Sequence, residues 1–239
     1  MSAEASASIQ KGGALAAKGG SERDVREGAM EGVLVACGEL GFRETSVRAI
    51  LEYSGGHRAQ FYQHFEGKED CFAQAYKVWI ERLCVSLLEA AANVPGWEEG
   101  VREAIARLFD FVTAQPAIAR ALFVEVQIAG EPALARHDAV IERLAGALDS
   151  ARADVDPAEA PPEATGVFVA GGIESCVAEA LGAGAPGRLW DALPELMHFA
   201  AGSYFGNTEA EGAFERASVY LQRERARSVG AGEGEGEAE

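Results

Sequence analysis

Apolar residues recur at helical spacing along almost the whole chain, and no segment shows the alternation of a half-buried strand. This periodicity restricts the fold strongly, because apolar stripes that all lie on helices must be buried against other helices. The first stripe runs from residue 25 to 40, a strongly apolar helix is predicted over residues 163–181, and the longest helix is predicted from Lys68 to about Ala92. The sequence therefore predicts an all-α protein of nine or ten helices.

The composition divides the 239 residues into four parts. Residues 1–20 are small, polar and glycine-rich and are expected to form a flexible arm, and residues 228–239 are expected to form a disordered acidic tail. Short helices predict an N-terminal three-helix domain over residues 21–68. The longer helices of residues 69–227 predict a second helical domain.

The net charge of −17 argues against a surface that binds nucleic acid or anionic membranes as a whole, although one local basic patch is compatible with it. No apolar run approaches the roughly 20 residues of a membrane span. The first residues lack the apolar core of a secretory signal. The four scattered cysteines are expected to be buried in a reducing compartment. A cytoplasmic protein is expected.

Residues 45–68 form a candidate helix-turn-helix: two short amphipathic helices separated by the glycine-containing turn at residues 54–56. In such a unit the second helix enters the DNA major groove while the first braces it. Thr45 is predicted to cap the first of these helices and to donate a hydrogen bond to a phosphate. Any pair of short amphipathic helices can resemble this motif, so the pattern alone is a weak signal.

A more specific set of residues accompanies the motif: Gly41-Phe42, Thr45-Ser46, Gly55, Phe61-Tyr62-Gln63-His64-Phe65 and Lys68-Glu69. Their types and spacing, over about residues 23–73, resemble the N-terminal domain of the TetR/AcrR family of transcriptional regulators. Later segments, residues 168–174, 193–196 and 204–206, are similar to the end of many family members. The resemblance implies a helix-turn-helix domain followed by a helical effector-binding and dimerisation domain. It also implies a homodimeric repressor that binds a palindromic operator.

The resemblance implies a DNA-binding surface on the two short helices. Arg58, Ala59 and Gln60 begin the second helix and are the predicted base readers, with arginine favouring guanine and glutamine favouring adenine. Tyr62 is expected to point its hydroxyl at a phosphate, and Phe65 is expected in the core. The predicted DNA-binding set is Thr45, Ser46, Arg48, His57, Arg58, Ala59, Gln60, Tyr62, His64 and Lys68.

The turn departs from the family pattern, since Ser54-Gly55-Gly56-His57 stands where Ala-Gly-Val-Ser is usual. The core valine and the serine that caps the second helix are both missing. A second hypothesis is therefore a dimeric ligand-binding or adaptor protein of the same fold that has lost DNA binding.

Bundles of helices bury ligand cavities between facing side chains. A mainly apolar small-molecule effector is expected, although large residues of this kind also fill cores without binding anything. The predicted cavity residues are Trp79, Leu83, Phe109, Phe123, Gln127, Phe168 and Glu174. Dimerisation is predicted on a face flattened by two helical glycines, since mid-helix glycines need a packing reason. The predicted interface residues are Ala170, Gly171, Gly172, Leu193, Leu196, Met197 and Ala200.

Enzyme and cofactor motifs are weak or missing. Residues 182–187 spell GxGxxG, but the string follows a predicted helix rather than a strand and is expected to be a loop. His57 and His64 are seven residues apart, with no third metal ligand at suitable spacing. We expect no enzyme activity, no cofactor and no metal; an all-α enzyme assembled from scattered residues is the third hypothesis.

Overall fold

The computed structural model describes residues 22–233, with side chains over residues 23–227. Helices follow one another through this range without a strand, which confirms the all-α prediction. The α-helices are α1 (Glu22–Leu40), α2 (Val47–Ser54), α3 (Arg58–His64), α4 (Lys68–Ala92), α5 (Trp97–Ala114), α6 (Pro116–Phe123), α7 (Glu131–Leu148), α8 (Thr165–Gly182), α9 (Leu193–Phe205) and α10 (Asn207–Glu233). Short 3₁₀ helices cover Glu125–Ile128, Asp149–Asp154 and Pro186–Ala192.

The first three helices share a small core. Leu34 of α1, Ile50 of α2 and Phe61 of α3 are almost completely buried. Helix α2 ends at Gly55, whose φ of +66° lies in the left-handed region that favours glycine. Helix α3 begins three residues later, so the tight turn predicted from the sequence is present.

Helix α4 belongs to both halves of the molecule, and its predicted bounds are confirmed at each end. Its 25 residues span about 37 Å. Near its start, Phe72 is fully buried and the Cys71 thiol lies 3.6 Å from the Ala29 carbonyl oxygen of α1. Its second half packs against α5 and α7.

A second contact joins the N-terminal helices to the rest of the chain. Helix α1 packs along α6 so closely that a Cβ added to Gly38 would lie 1.9 Å from the Ala117 carbonyl oxygen. Only glycine fits there, because any side chain would overlap the α6 backbone.

One buried acid and one proline mark two of the remaining helix boundaries. Helix α6 stops at Phe123 and is followed by a 3₁₀ helix in which Glu125 turns inward. Helix α9 begins at Leu193, which places Pro194 in a first turn that needs no proline N–H.

The predicted terminal segments can be compared with the structure only in part. Helix α10 continues to Glu233, so the boundary expected after Arg227 falls inside a helix. The predicted flexible arm (1–20) and the last residues of the predicted tail (234–239) lie outside the described residues. In the described range, no helix is both long and apolar enough to cross a membrane.

Candidate DNA-binding surface and ligand cavity

Helix α3 presents one face to the core and one to solvent. Phe61 and Phe65 are buried, whereas 47% of Tyr62 is exposed, so the predicted orientations of Phe65 and Tyr62 are confirmed. The Arg58 guanidinium carbon lies 5.5 Å from the centroid of the Tyr62 ring, a cation–π distance. Ala59 is exposed, while Gln60 and His64 are half-buried. The outer face of α3 is therefore polar, aromatic and cationic.

Ser46, rather than Thr45, caps α2. The Ser46 hydroxyl oxygen accepts a hydrogen bond from the Ala49 N–H at 3.2 Å. Thr45 is buried, and its hydroxyl lies 2.8 Å and 3.1 Å from the carbonyl oxygens of Gly41 and Ala36, to which it donates. The prediction that Thr45 caps the helix and contacts a phosphate is wrong, because its side chain points into the core.

The Lys68 side chain also makes its contacts inside the molecule. Its ammonium group donates to the Phe42 carbonyl oxygen at 2.7 Å and lies 4.3 Å from the centroid of the Phe42 ring. Only 15% of the lysine side chain is exposed. The predicted phosphate contact of Lys68 is therefore wrong: the lysine fixes the turn between α1 and α2.

Phe42 is held from the other side by the second domain. Its N–H donates to the buried Glu125 carboxylate at 2.8 Å, and that carboxylate lies 3.5 Å from the Arg120 guanidinium. Phe42, Lys68 and Glu125, here called the Phe42 joint, tie the turn to the start of α4 and to the segment after α6. No local pattern in the sequence marks this joint.

Two features of the helix-turn-helix are less favourable for DNA binding: α3 lacks a side-chain cap, and one of the arginines is paired with an acid. His57 stands at the N-cap of α3 without a side-chain capping bond, as the departure from the family pattern suggested. Arg48 is exposed but lies 2.9 Å from Glu52, one helical turn away. Such an exposed pair contributes little stability, yet it partly offsets the arginine charge.

A cavity of about 500 Å³ lies among α4, α5, α7 and α8, a volume typical of small-molecule sites. Of the predicted lining residues, Leu83, Phe123 and Glu174 do line it. The other four predictions are wrong: Trp79, Phe109, Gln127 and Phe168 lie outside it. Phe109 is fully buried against Trp190, Trp79 packs on the core elsewhere, and Gln127 and Phe168 face solvent.

Small residues along α5 make room for the cavity. Gly96, Gly100 and Ala104 line it at intervals of four residues, and a Cβ on Gly100 would lie 3.0 Å from the Ala91 carbonyl oxygen of α4. Trp97 lines the same end and donates its indole N–H to the Leu148 carbonyl oxygen at 2.8 Å. The four-residue spacing of these small residues is the sequence signal from which this side of the cavity could be found.

One end of the cavity carries a polar cluster of Tyr76, His137 and Glu174. The Tyr76 hydroxyl oxygen lies 2.9 Å from His137 Nδ1, and His137 Nε2 lies 3.0 Å from Glu174 Oε1. Burial raises the pKa of Tyr76, and the charge of Glu174 acts in the same direction, so the phenol keeps its proton. Tyr76 stacks on Phe72 at 6.0 Å, and Phe72 meets Phe42 edge-on at 5.2 Å. Direct contacts thus run from the cavity to the Phe42 joint.

Most of the predicted dimer-interface residues are internal. Ala170, Leu193, Leu196, Met197 and Ala200 are buried within the protomer, so assigning them to a surface was wrong. Ala170 instead lines the cavity.

The exposed apolar residues lie beside them on the same two helices. Phe168 is 69% exposed and Phe199 43% exposed. A Cβ on half-buried Gly172 would lie 3.0 Å from the Phe199 ring, and Gly171 has open space around it. We call Phe168, Gly171, Gly172 and Phe199 the α8–α9 face.

The cysteines are poorly ionised thiols. Burial raises the pKa of Cys37 to about 11, and it also raises the thiol pKa of Cys71, Cys84 and Cys176. Across residues 23–227, no cluster of three histidine, cysteine or acidic side chains is placed to hold a metal ion. The GxGxxG string follows a helix rather than a strand, as predicted, but only residues 183–185 form a loop, since Gly182 ends α8 and Pro186 begins a 3₁₀ helix.

Comparisons with known proteins agree with this arrangement. Residues 37–75 match the family model of bacterial regulatory proteins, tetR family. The fatty acid degradation regulator FadR from Bacillus halodurans is 14% identical, with a TM-score of 0.65 over 77% of this chain and 96% of that one. A putative transcriptional regulator from Pseudomonas aeruginosa PAO1 is 18% identical, with a TM-score of 0.63 over 83% of this chain and 96% of that one.

FadR from Bacillus subtilis, solved in complex with stearoyl-CoA, is 13% identical, with a TM-score of 0.59 over 75% of this chain and 97% of that one. A search of curated proteins finds no significant match. The helix-turn-helix region is similar to that of the TetR family, and the chain has the TetR-type fold of an N-terminal helix-turn-helix domain followed by a helical domain. The family resemblance predicted from the sequence is confirmed.

Proposed function

We propose that this protein is a ligand-responsive transcriptional regulator, a cytoplasmic homodimer that represses transcription by binding a palindromic operator, and that it is not an enzyme. Residues 21–68 form the DNA-binding domain and residues 69–227 the effector and dimerisation domain. One observation carries the proposal: the solvent-facing α3 of a TetR-family helix-turn-helix is connected to α4, and the other half of α4 lines an apolar cavity.

In this proposal, α3 enters the major groove. Arg58, Ala59 and Gln60 read base edges, and Arg58 donates two hydrogen bonds to a guanine. The DNA backbone is contacted by Ser46, Arg48, His57, Tyr62 and His64, without Thr45 and Lys68. The two recognition helices of the dimer would lie about 34 Å apart, one turn of DNA.

The dimer forms through the α8–α9 face. Phe168 and Phe199 both expose aromatic rings, and Gly172, one helical turn after Phe168, lies against the Phe199 ring. Exposed apolar patches of this kind often mark protein–protein contacts. Open space at Gly171 allows a partner helix to approach closely.

The effector acts by moving α4 and the Phe42 joint together. A ligand in the cavity contacts the second half of α4 and the cluster at Tyr76, whose ring contacts continue to Phe42. A ligand that binds one arrangement about 100-fold more tightly supplies about 2.7 kcal/mol per site, within the range of ordinary coupling energies. The stearoyl-CoA complex of the Bacillus subtilis FadR supports a ligand with a long apolar part.

The test is fluorescence anisotropy with labelled DNA from immediately upstream of the protein's own gene. Arg58→Ala is expected to cost about 1–3 kcal/mol and to relax preference at one base pair per half-site. Arg107→Ala removes the same charge from an exposed site on α5 and serves as the matched control. Equal losses in the two variants would contradict base reading by Arg58.

A second candidate is an adaptor of the same fold that no longer binds DNA. The uncapped His57, the Arg48–Glu52 pair and the net charge of −17 favour it. A wild-type protein that binds effectors and forms dimers, yet ignores its upstream DNA even at low salt, would establish this candidate.

A further inference from the structure

The cavity has one end formed by His137 and Glu174, here called the inner end, and an opposite end at Gly96 and Asp154, here called the outer end. Three contacts show that α7 runs parallel to α4: Tyr76 with His137, Glu81 with Arg143, and, across the start of α5, Trp97 with Leu148. His137 and Glu174 therefore lie at the end nearest the helix-turn-helix. The lining part of α4, from Ile80 to Ala92, extends about 18 Å from that end.

The hydrogen bonds at the inner end assign the protons. Tyr76 is fully buried, and its hydroxyl has one partner among the described residues, His137 Nδ1. A buried hydroxyl needs an acceptor for its proton, so Nδ1 accepts and carries no hydrogen. The imidazole proton is then on Nε2, which donates to Glu174 Oε1. The imidazole thus occupies one oxygen of the Glu174 carboxylate.

Glu174 presents its second carboxylate oxygen to a mainly apolar space. Its side chain is 18% exposed and lines the cavity, and among the described residues Oε2 has no hydrogen-bond partner. In the described part of the chain, no lysine or arginine lines the cavity, and the other acid that lines it is Asp154, which follows α7 toward the outer end. A cationic donor on a ligand would form a charge-assisted hydrogen bond with this oxygen.

We infer that the effector is an elongated apolar molecule carrying a protonated amine or similar cationic donor, which binds Glu174 Oε2 at the inner end of the cavity. This rests on the proposed effector function of the cavity. A ligand with a carboxylate or phosphate at the same end would place like charges side by side, with no lysine or arginine among the described lining residues to separate them. The amine would contact the cluster that leads through Tyr76 to the Phe42 joint.

The experiment is isothermal titration calorimetry of the full chain, without DNA, with decylamine, decanol and decanoate below their micelle concentrations. These probes share one chain length and differ in head-group charge. Decylamine is expected to bind most tightly and decanoate most weakly. Glu174→Gln keeps the side-chain shape and should weaken decylamine binding by about ten- to hundredfold, leaving decanol unchanged. Asp154→Asn is the matched control and should retain the preference for the amine.

Decanoate binding as tight as decylamine binding, no binding of decylamine, or an equal effect of Glu174→Gln on all three probes would overturn the inference. The result is separable from the proposed function, since calorimetry without DNA reports the cavity alone. Failure of the proposed function would instead appear as wild-type protein that does not bind its upstream DNA.

Discussion

Replacing Glu125 by alanine tests how firmly the Phe42 joint connects the two domains. The change removes the acceptor of the 2.8 Å hydrogen bond from the Phe42 N–H and leaves that N–H without a partner inside the protein. A hydrogen bond to a charged group contributes about 1.5–3 kcal/mol. The ion pair with Arg120 adds little, since the arginine side chain is 36% exposed and can be solvated when the carboxylate is gone.

We therefore expect Glu125→Ala to lower the free energy of unfolding by about 2–3 kcal/mol. For a chain of this size that corresponds to a fall in Tm of roughly 5–10 °C. Glu125→Gln keeps an amide oxygen as acceptor and should lose only about 1 kcal/mol, the difference between a charged and a neutral acceptor.

Circular dichroism during thermal and urea unfolding measures both variants. Gln127→Ala, on the exposed side of the same 3₁₀ helix, is the control and should change stability by less than about 0.5 kcal/mol. Glu125→Ala unfolding within a degree of wild type would refute the reasoning, because a buried N–H without its acceptor cannot be neutral.

The helix-turn-helix and the α8–α9 face allow three further tests. His57→Ser supplies the missing cap of α3 and should raise the free energy of unfolding by about 1 kcal/mol in urea titrations, and no gain would mean that another group already satisfies that end. Lys68→Met should lower stability by about 1.5–3 kcal/mol and leave the salt dependence of DNA binding unchanged, whereas a slope reduced by about one unit would return Lys68 to a phosphate. Phe168→Glu and Phe199→Glu should each shift a dimer to monomer in analytical ultracentrifugation, while Leu40→Glu, at the end of α1 and about as exposed as Phe199, should not; retained dimers in both phenylalanine variants would place the interface elsewhere.

The helices and the helix-turn-helix follow from local patterns in the sequence. The bounds of α4, the turn at Gly55 and the orientations of Tyr62 and Phe65 all follow from residues within one or two helical turns of each other. Helix capping, apolar periodicity and the left-handed turn depend on residues that are close in the sequence, so the local pattern is enough to predict them. The family motif is local for the same reason, since its spacing lies within a single small domain.

The contacts between distant side chains depend instead on how the helices pack. Leu193 and Met197 formed an apolar stripe that suits an interface as well as a core, and only the packing of α9 against its neighbours assigns them to the core and leaves Phe199 outside. Tyr76 and His137 are 61 residues apart, so no periodicity relates them. The residues around Lys68 in the sequence give no sign that its side chain is turned inward. It is turned inward because its ammonium group donates to the carbonyl oxygen of Phe42, 26 residues earlier. Local propensity specifies the faces of a helix, whereas the partner of each face depends on the path of the whole chain.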